Sequence, residues 1–197
     1  MDDRQVSELL YQSLEVEIGG QRVYETAISC ALNEDLKEEW EKYLDETRTH
    51  EAILRSTFDR IGLDPEVETP GRAVVRMKAD SLVRSMEMAR SEGGPAAAQL
   101  VAAECVVEAE TKDHQDWELI GRVAEKSSGE MKQALTEAYE QVEEQEDQHL
   151  YHTMGWAREL WIESLGLPAV LPPPEEEKKV VSAIGAARAE QAREEML

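Results

Sequence analysis

The sequence predicts an all-α protein, an antiparallel four-helix bundle with one long crossover that contains an extra helix. Three observations lead there. Ala, Glu, Leu, Gln, Arg and Met recur at steps of three and four through most of the 197 residues, the period of one helix face. Aromatic residues make up only 5% of the chain and β-branched runs are short, so strands have little to be built from. The breaks in the periodicity fall at Asn33, in the loop from "GLDP" to "TPG", at "SEGGP", at "SSGE" and at "GLPAVLPPP", which divide the chain into four long segments and one shorter one ahead of the tail.

The first helix is expected from about Asp3 to Leu32, with Leu10, Leu14, Glu17, Gln21, Tyr24 and Ile28 on one face. Gly19 and Gly20 lie inside it, each costing about 1 kcal/mol against Ala. Asn33 is a suitable N-cap for the second helix, with Glu34 and Asp35 in the first turn, and Leu36, Trp40, Tyr43, His50, Leu54 and Ile61 carry its stripe to the "GLDP" stop. After a loop containing "TPG", a crossover helix is expected at about 72–90. Pro95 then opens the third long helix, since its missing N–H has no partner at a first helical position anyway. That helix runs to about Glu125. "SSGE" reads as a capping box from Ser127 to Glu130, and the fourth long helix continues to about Leu165.

The bundle is expected to span residues 1–168 as one main domain, followed at 169–197 by a Pro-rich linker and an acidic tail. Val180, Val181, Ile184 and Ala187 give that tail a helical period, which suits a helix docked on the bundle or on a neighbour as well as an unstructured segment. The charge is −22, from 43 acidic and 21 basic residues, with no basic stripe, so a phosphate backbone would be repelled and nucleic acid is not an expected partner. Cys30 and Cys105 form no CxxC pair. There is no basic-then-apolar leader and no run of 18 apolar residues, so the expectation is a cytoplasmic protein with no membrane partner.

Chemistry enters where the apolar stripes are interrupted. Glu17 stands in the first helix, Glu46 with His50 in the second, Glu110 with His114 in the third, and Glu146 with His149 in the fourth, each near mid-helix. Midpoints of antiparallel helices meet at one depth, so these groups are expected to form a polar layer inside the core. Buried carboxylates without partners cost several kcal/mol or take up protons, and one or two divalent cations would neutralise them. The scarce residue is histidine: all four, His50, His114, His149 and His152, fall in central helical turns. A metal-free polar core that fixes helix register is the competing reading.

A Glu from each of two helices with a Glu/His pair from each of the other two resembles the di-metal carboxylate site of the ferritin-like superfamily, over about residues 3–165. Within it, "LDETRTHEAILRSTFDRIGLDP" and "AETKDHQDWELIGRVA" are similar to the second and third helices of the YciF-like stress-protein branch, the latter through Glu110, Asp113 and Trp117. The resemblance implies two Fe ions, or alternatively two Mn, held by Glu17, Glu46, His50, Glu110, His114, Glu146 and His149. It also implies Fe(II) oxidation with O2 or H2O2 in oxidative or metal stress, or peroxide disproportionation of the manganese-catalase kind. Helix two departs from the usual Glu-x-x-His, which leaves Glu46 either a ligand or a support for one. In helix four a register with Glu143 and Glu146 is also open, and Glu146 with His149 is preferred because they continue the stripe of Val142, Thr153 and Trp156. Asp113 and Glu143 are reserve ligands, while Glu144, Asp147 and Gln148 are expected to face water. His152 is either a donor behind the ligands or a surface residue. A homodimer is the base-rate expectation for assembly.

Overall fold

The structure, a computed structural model, describes residues 1–174. The tail helix expected around Val180 to Ala187 lies outside the described residues. Among those described, the chain is helical with no strand: α1 (Asp3–Cys30), α2 (Glu34–Ile61), α3 (Pro70–Met88), a five-residue π turn (Ala89–Gly93), α4 (Pro95–Lys126) and α5 (Gly129–Ser164). No helix among them is long and apolar enough to cross a membrane.

Most ends form for the expected reasons. Asn33 accepts from Leu36 N at 3.1 Å as N-cap of α2, and Gly62, with φ +75°, closes its other end in the left-handed conformation. Three ends differ. The first helix stops at Cys30, because Ala31 is extended and the amides of Leu32 and Asn33 both donate to Gln99 Oε1 of α4, at 2.7 and 2.8 Å. The crossover helix begins at Pro70 rather than 72: Thr69 Oγ1 accepts from Arg72 N at 3.1 Å and Pro70 takes the first helical position. The capping box does not form, since Ser127 Oγ donates back to Val123 O and Ser128 occupies the N-cap position without a side-chain bond.

Side-chain bonds between helices give the directions. Between α2 and α5, Glu39 pairs with Trp156 and Arg60 with Glu137, so one number rises as the other falls. The same holds for Glu104 with Trp161 and His114 with Asp147 between α4 and α5, and for Gln99 with Leu32 and Trp117 with Glu17 between α4 and α1. These neighbours are antiparallel. Helix α3 instead runs parallel to α1, through Thr69 with Glu8, Arg76 with Glu15 and Asp80 with Arg22. It returns the chain to the end where α2 started, so that α4 can run in the direction of α2.

Two features of α1 gain their reason from α3. Glu15 is buried because Arg72, itself buried, and Arg76 both donate to it, at distances of 2.8 to 3.1 Å. Gly19 is where the helices cross: a Cβ there would lie 2.7 Å from Ala79 Cβ. The expected outcome of Gly19→Leu is a loss of about 1–3 kcal/mol in denaturant unfolding, as overpacking forces α3 off α1.

The core is divided. One apolar cluster contains Val23, Tyr24, Ala27, Trp40, Val106 and Trp156, and the other Leu10, Leu14, Leu54, Phe58, Ile120 and Val142. On all four long helices of the bundle the two clusters are separated by a mid-helix turn or two, and there the buried residues include acids or histidines on every helix.

Candidate metal centre

The separating layer takes one or two side chains from each helix. Glu17 comes from α1, His50 from α2, Glu110 and Asp113 from α4, and Glu146 and His149 from α5, all at most 4% exposed. His50 Nδ1 is 3.0 Å from Glu146 Oε1 and 3.8 Å from Glu17 Oε1. His149 Nδ1 is 3.5 Å from Glu146 Oε1 and 3.6 Å from Glu110 Oε2. Two sets of potential ligand atoms lie within 4.8 Å of one another, His50 with Glu146 and His149, and Glu17 with Asp113 and Glu146. Glu146 belongs to both.

Each imidazole is held from behind. His50 Nε2 lies 2.8 Å from Gln145 Oε1, and the amide of Gln145 is oriented by donating from Nε2 to Glu46 Oε1 at 3.2 Å. His149 Nε2 lies 2.9 Å from Glu46 Oε2. Since an amide oxygen and a carboxylate only accept, both rings donate from Nε2, which leaves each Nδ1 lone pair turned toward the carboxylates when the ring is neutral. The contact from His50 Nδ1 to Glu146 is close but too bent for a hydrogen bond, and His50 Nδ1 has no other partner. The pattern is locally symmetric across α2 and α5: a Glu or Gln four residues before each His supports the other helix's ring. Tyr43 and Tyr24 flank His149, with ring centroids 4.2 and 6.3 Å away.

Lone pairs facing carboxylate oxygens repel, and several of those oxygens have no donor at all. Glu17 Oε2, Glu110 Oε2, Asp113 Oδ1 and both oxygens of Glu146 are buried without a hydrogen bond. The other oxygen of Glu17, Oε1, accepts from Trp117 Nε1 at 2.8 Å. Without a cation the layer manages this charge with protons. Burial, then the Glu146 charge, pushes the carboxyls of Glu17 and Asp113 well above their usual range, and burial also raises Glu146. Burial alone would lower His149, but the Glu110 and Glu46 carboxylates beside it outweigh that and carry it up to about 10. Burial and then the Glu110 charge raise the Tyr24 phenol. The donors present, oxygen and imidazole nitrogen with outer acceptors fixing both rings, could hold a divalent metal ion.

Not every expected residue arrives. Glu17, His50, Glu110, Glu146 and His149 meet, and the reserve Asp113 joins them. His114 does not: its Nε2 donates to Asp147 Oδ1 at 2.8 Å and its ring packs edge-on to Tyr151. Asp147 is therefore half-buried against α4 rather than facing water. Glu46 lies behind His149 and Gln145, with its pKa lowered by His149 and Lys42 against the opposing effect of burial. Glu143 is exposed. His152 contacts Glu39 Oε1 at 2.8 Å and donates to Pro173 O, away from the layer.

Sequence reading passed over Gln145, whose signal is its place four residues before His149, and Trp117 and Tyr24 as neighbours of the acids. Because Glu46 orients a ring without entering the cluster, Glu46→Ala is expected to weaken divalent metal binding about 10–100-fold without abolishing it, read by metal titration. Family models, curated proteins and solved structures were compared with the chain, and none matches it.

Proposed function

We propose that the chain is a ferritin-like di-metal carboxylate protein that takes up two Fe ions, with two Mn as the alternative, and oxidises Fe(II) with O2 or H2O2 in protection against oxidative or metal stress. The observation that carries this reading is Glu146: a buried carboxylate with no hydrogen-bond donor, common to two three-residue ligand sets. His50 and His149 hold one set, Glu17 and Asp113 the other, and Glu110 lies beside His149. Iron bound there would supply the electron transfers that reduce dioxygen or peroxide. The chain's own contribution is to orient two imidazoles through Gln145 and Glu46, to keep water out with an apolar cluster on either side, and to give up carboxyl protons as cations enter.

The test is elemental analysis of protein loaded with Fe(II) or Mn(II). About two ions per chain are expected, and fewer than half as many in His149→Ala. Oxygen consumption and ferric absorbance on mixing with Fe(II) then identify the oxidase, whereas oxygen release from peroxide identifies the manganese-catalase reaction. Wild-type protein that takes up neither metal would leave the metal-free interaction protein.

A further inference from the structure

A narrow cleft between α4 and α5 is lined by His114, Trp117, Glu118, Tyr139, Glu143, Glu146 and Asp147. It connects exposed side chains, Glu118 and Glu143, to a floor formed by Glu146, which is 1% exposed with both oxygens undonated. The hydrogen bond from His114 Nε2 to Asp147 Oδ1 spans the two helices at this cleft. We infer that this cleft is the route by which divalent cations reach the layer, with Glu118, Glu143 and Asp147 as its mouth and the His114–Asp147 bond as a bar across it.

This inference rests on the proposed metal centre and adds how that centre is filled. The cleft's volume is about 30 Å³, room for a water or two and no more. A hydrated divalent cation is larger, so the ion must shed waters on the way in, and mouth carboxylates provide replacement oxygens. Three acids facing one imidazole also concentrate the field of a chain that is already strongly negative. Two larger openings offer a cation less. The groove between α1, α3 and α4 is mostly apolar and carries Lys78 and Lys112 with a single acid, Glu108, and the groove between α2 and α5 carries Arg60 with Glu137. Neither contains a member of the layer.

The experiment is stopped-flow mixing of metal-free protein with Co(II), following its ligand-field absorbance, alongside Co(II) stoichiometry at saturation. Glu118→Lys with Glu143→Lys changes exposed side chains and is expected to slow filling about tenfold while leaving final stoichiometry as in the wild type. His114→Ala removes the bar and is expected to speed filling. Glu38→Lys with Glu41→Lys, an equal charge change at exposed positions on α2 outside the cleft, separates a local effect from net charge. Equal slowing in the cleft and α2 variants, or no slowing in either, would overturn the route. So would a cleft variant that loses stoichiometry, which would make those residues part of the centre. Wild-type protein that never fills would overturn the metal centre itself and the route with it.

Discussion

Glu146→Gln is expected to abolish tight metal binding and, at pH 8, to make the metal-free protein more stable. The two effects have opposite signs because the carboxylate that would serve both ligand sets also adds its charge to those of Glu17 and Asp113 beside it. Glu146 is enclosed by Glu17, Glu110 and Asp113, and neither of its oxygens has a hydrogen-bond donor. An isosteric amide fills the same volume, adds N–H donors that the orphaned carboxylate oxygens can accept from, and removes one charge from a buried cluster. A gain on the order of 1 kcal/mol in denaturant unfolding at pH 8 is expected from the hydrogen bonds gained and the buried charge removed. Metal content should fall from about two ions per chain to near zero, because no other carboxylate belongs to both sets. Loss of metal together with loss of stability would instead describe a folding defect.

The thermal stability of metal-free protein should fall as pH rises from about 5 to 8, and added Fe(II), Mn(II) or Co(II) should flatten the trend. Glu17, Asp113 and Glu146 bind protons more tightly folded than unfolded, so their contribution is present below the ordinary carboxylate range and is lost as pH climbs through their raised values. His149 acts in the same sense: its contribution is complete below the ordinary imidazole value and fades toward pH 10. Glu46, with its lowered pKa, acts oppositely and only at the acid end, where its stabilisation is lost as pH falls. Cations take the place of the protons, so stabilisation by metal should grow with pH, reaching about 2.7 kcal/mol when free metal is a hundredfold above Kd. Calorimetry at matched ionic strength, with and without metal, measures both slopes.

The helices themselves were legible because their stripes keep a steady period and their stops carry glycine and proline. The layer was legible for a related reason: acids and histidines break those stripes at the same height on four helices. What periodicity does not give is the roll of each helix about its own axis. Asp113 and His114 lie on either side of the line through Glu110, one at three residues and one at four, and α4 rolls so that Asp113 points inward and His114 turns to Asp147 on α5. On α2 the same ambiguity resolves in favour of His50, leaving Glu46 behind the ring of His149.

Features that depend on a distant partner were hidden for another reason. Nothing local to Glu15 announces the two arginines of α3 that make its burial tolerable, and Gly19 reads as a defect until Ala79 is placed against it. Gln145 was passed over because an amide in an acidic helix carries no signal of its own. Its role follows from two bonds at once, one to His50 and one to Glu46.

Anomalous diffraction from crystals of the protein loaded with Mn(II) tests the central claim most directly. The result predicted is two peaks inside the bundle, between the two apolar clusters, with Glu146 between them and the Nδ1 of His50 and His149 directed at metal. Peaks confined to acidic side chains on the outer surface, with the buried layer free of anomalous signal, would contradict it.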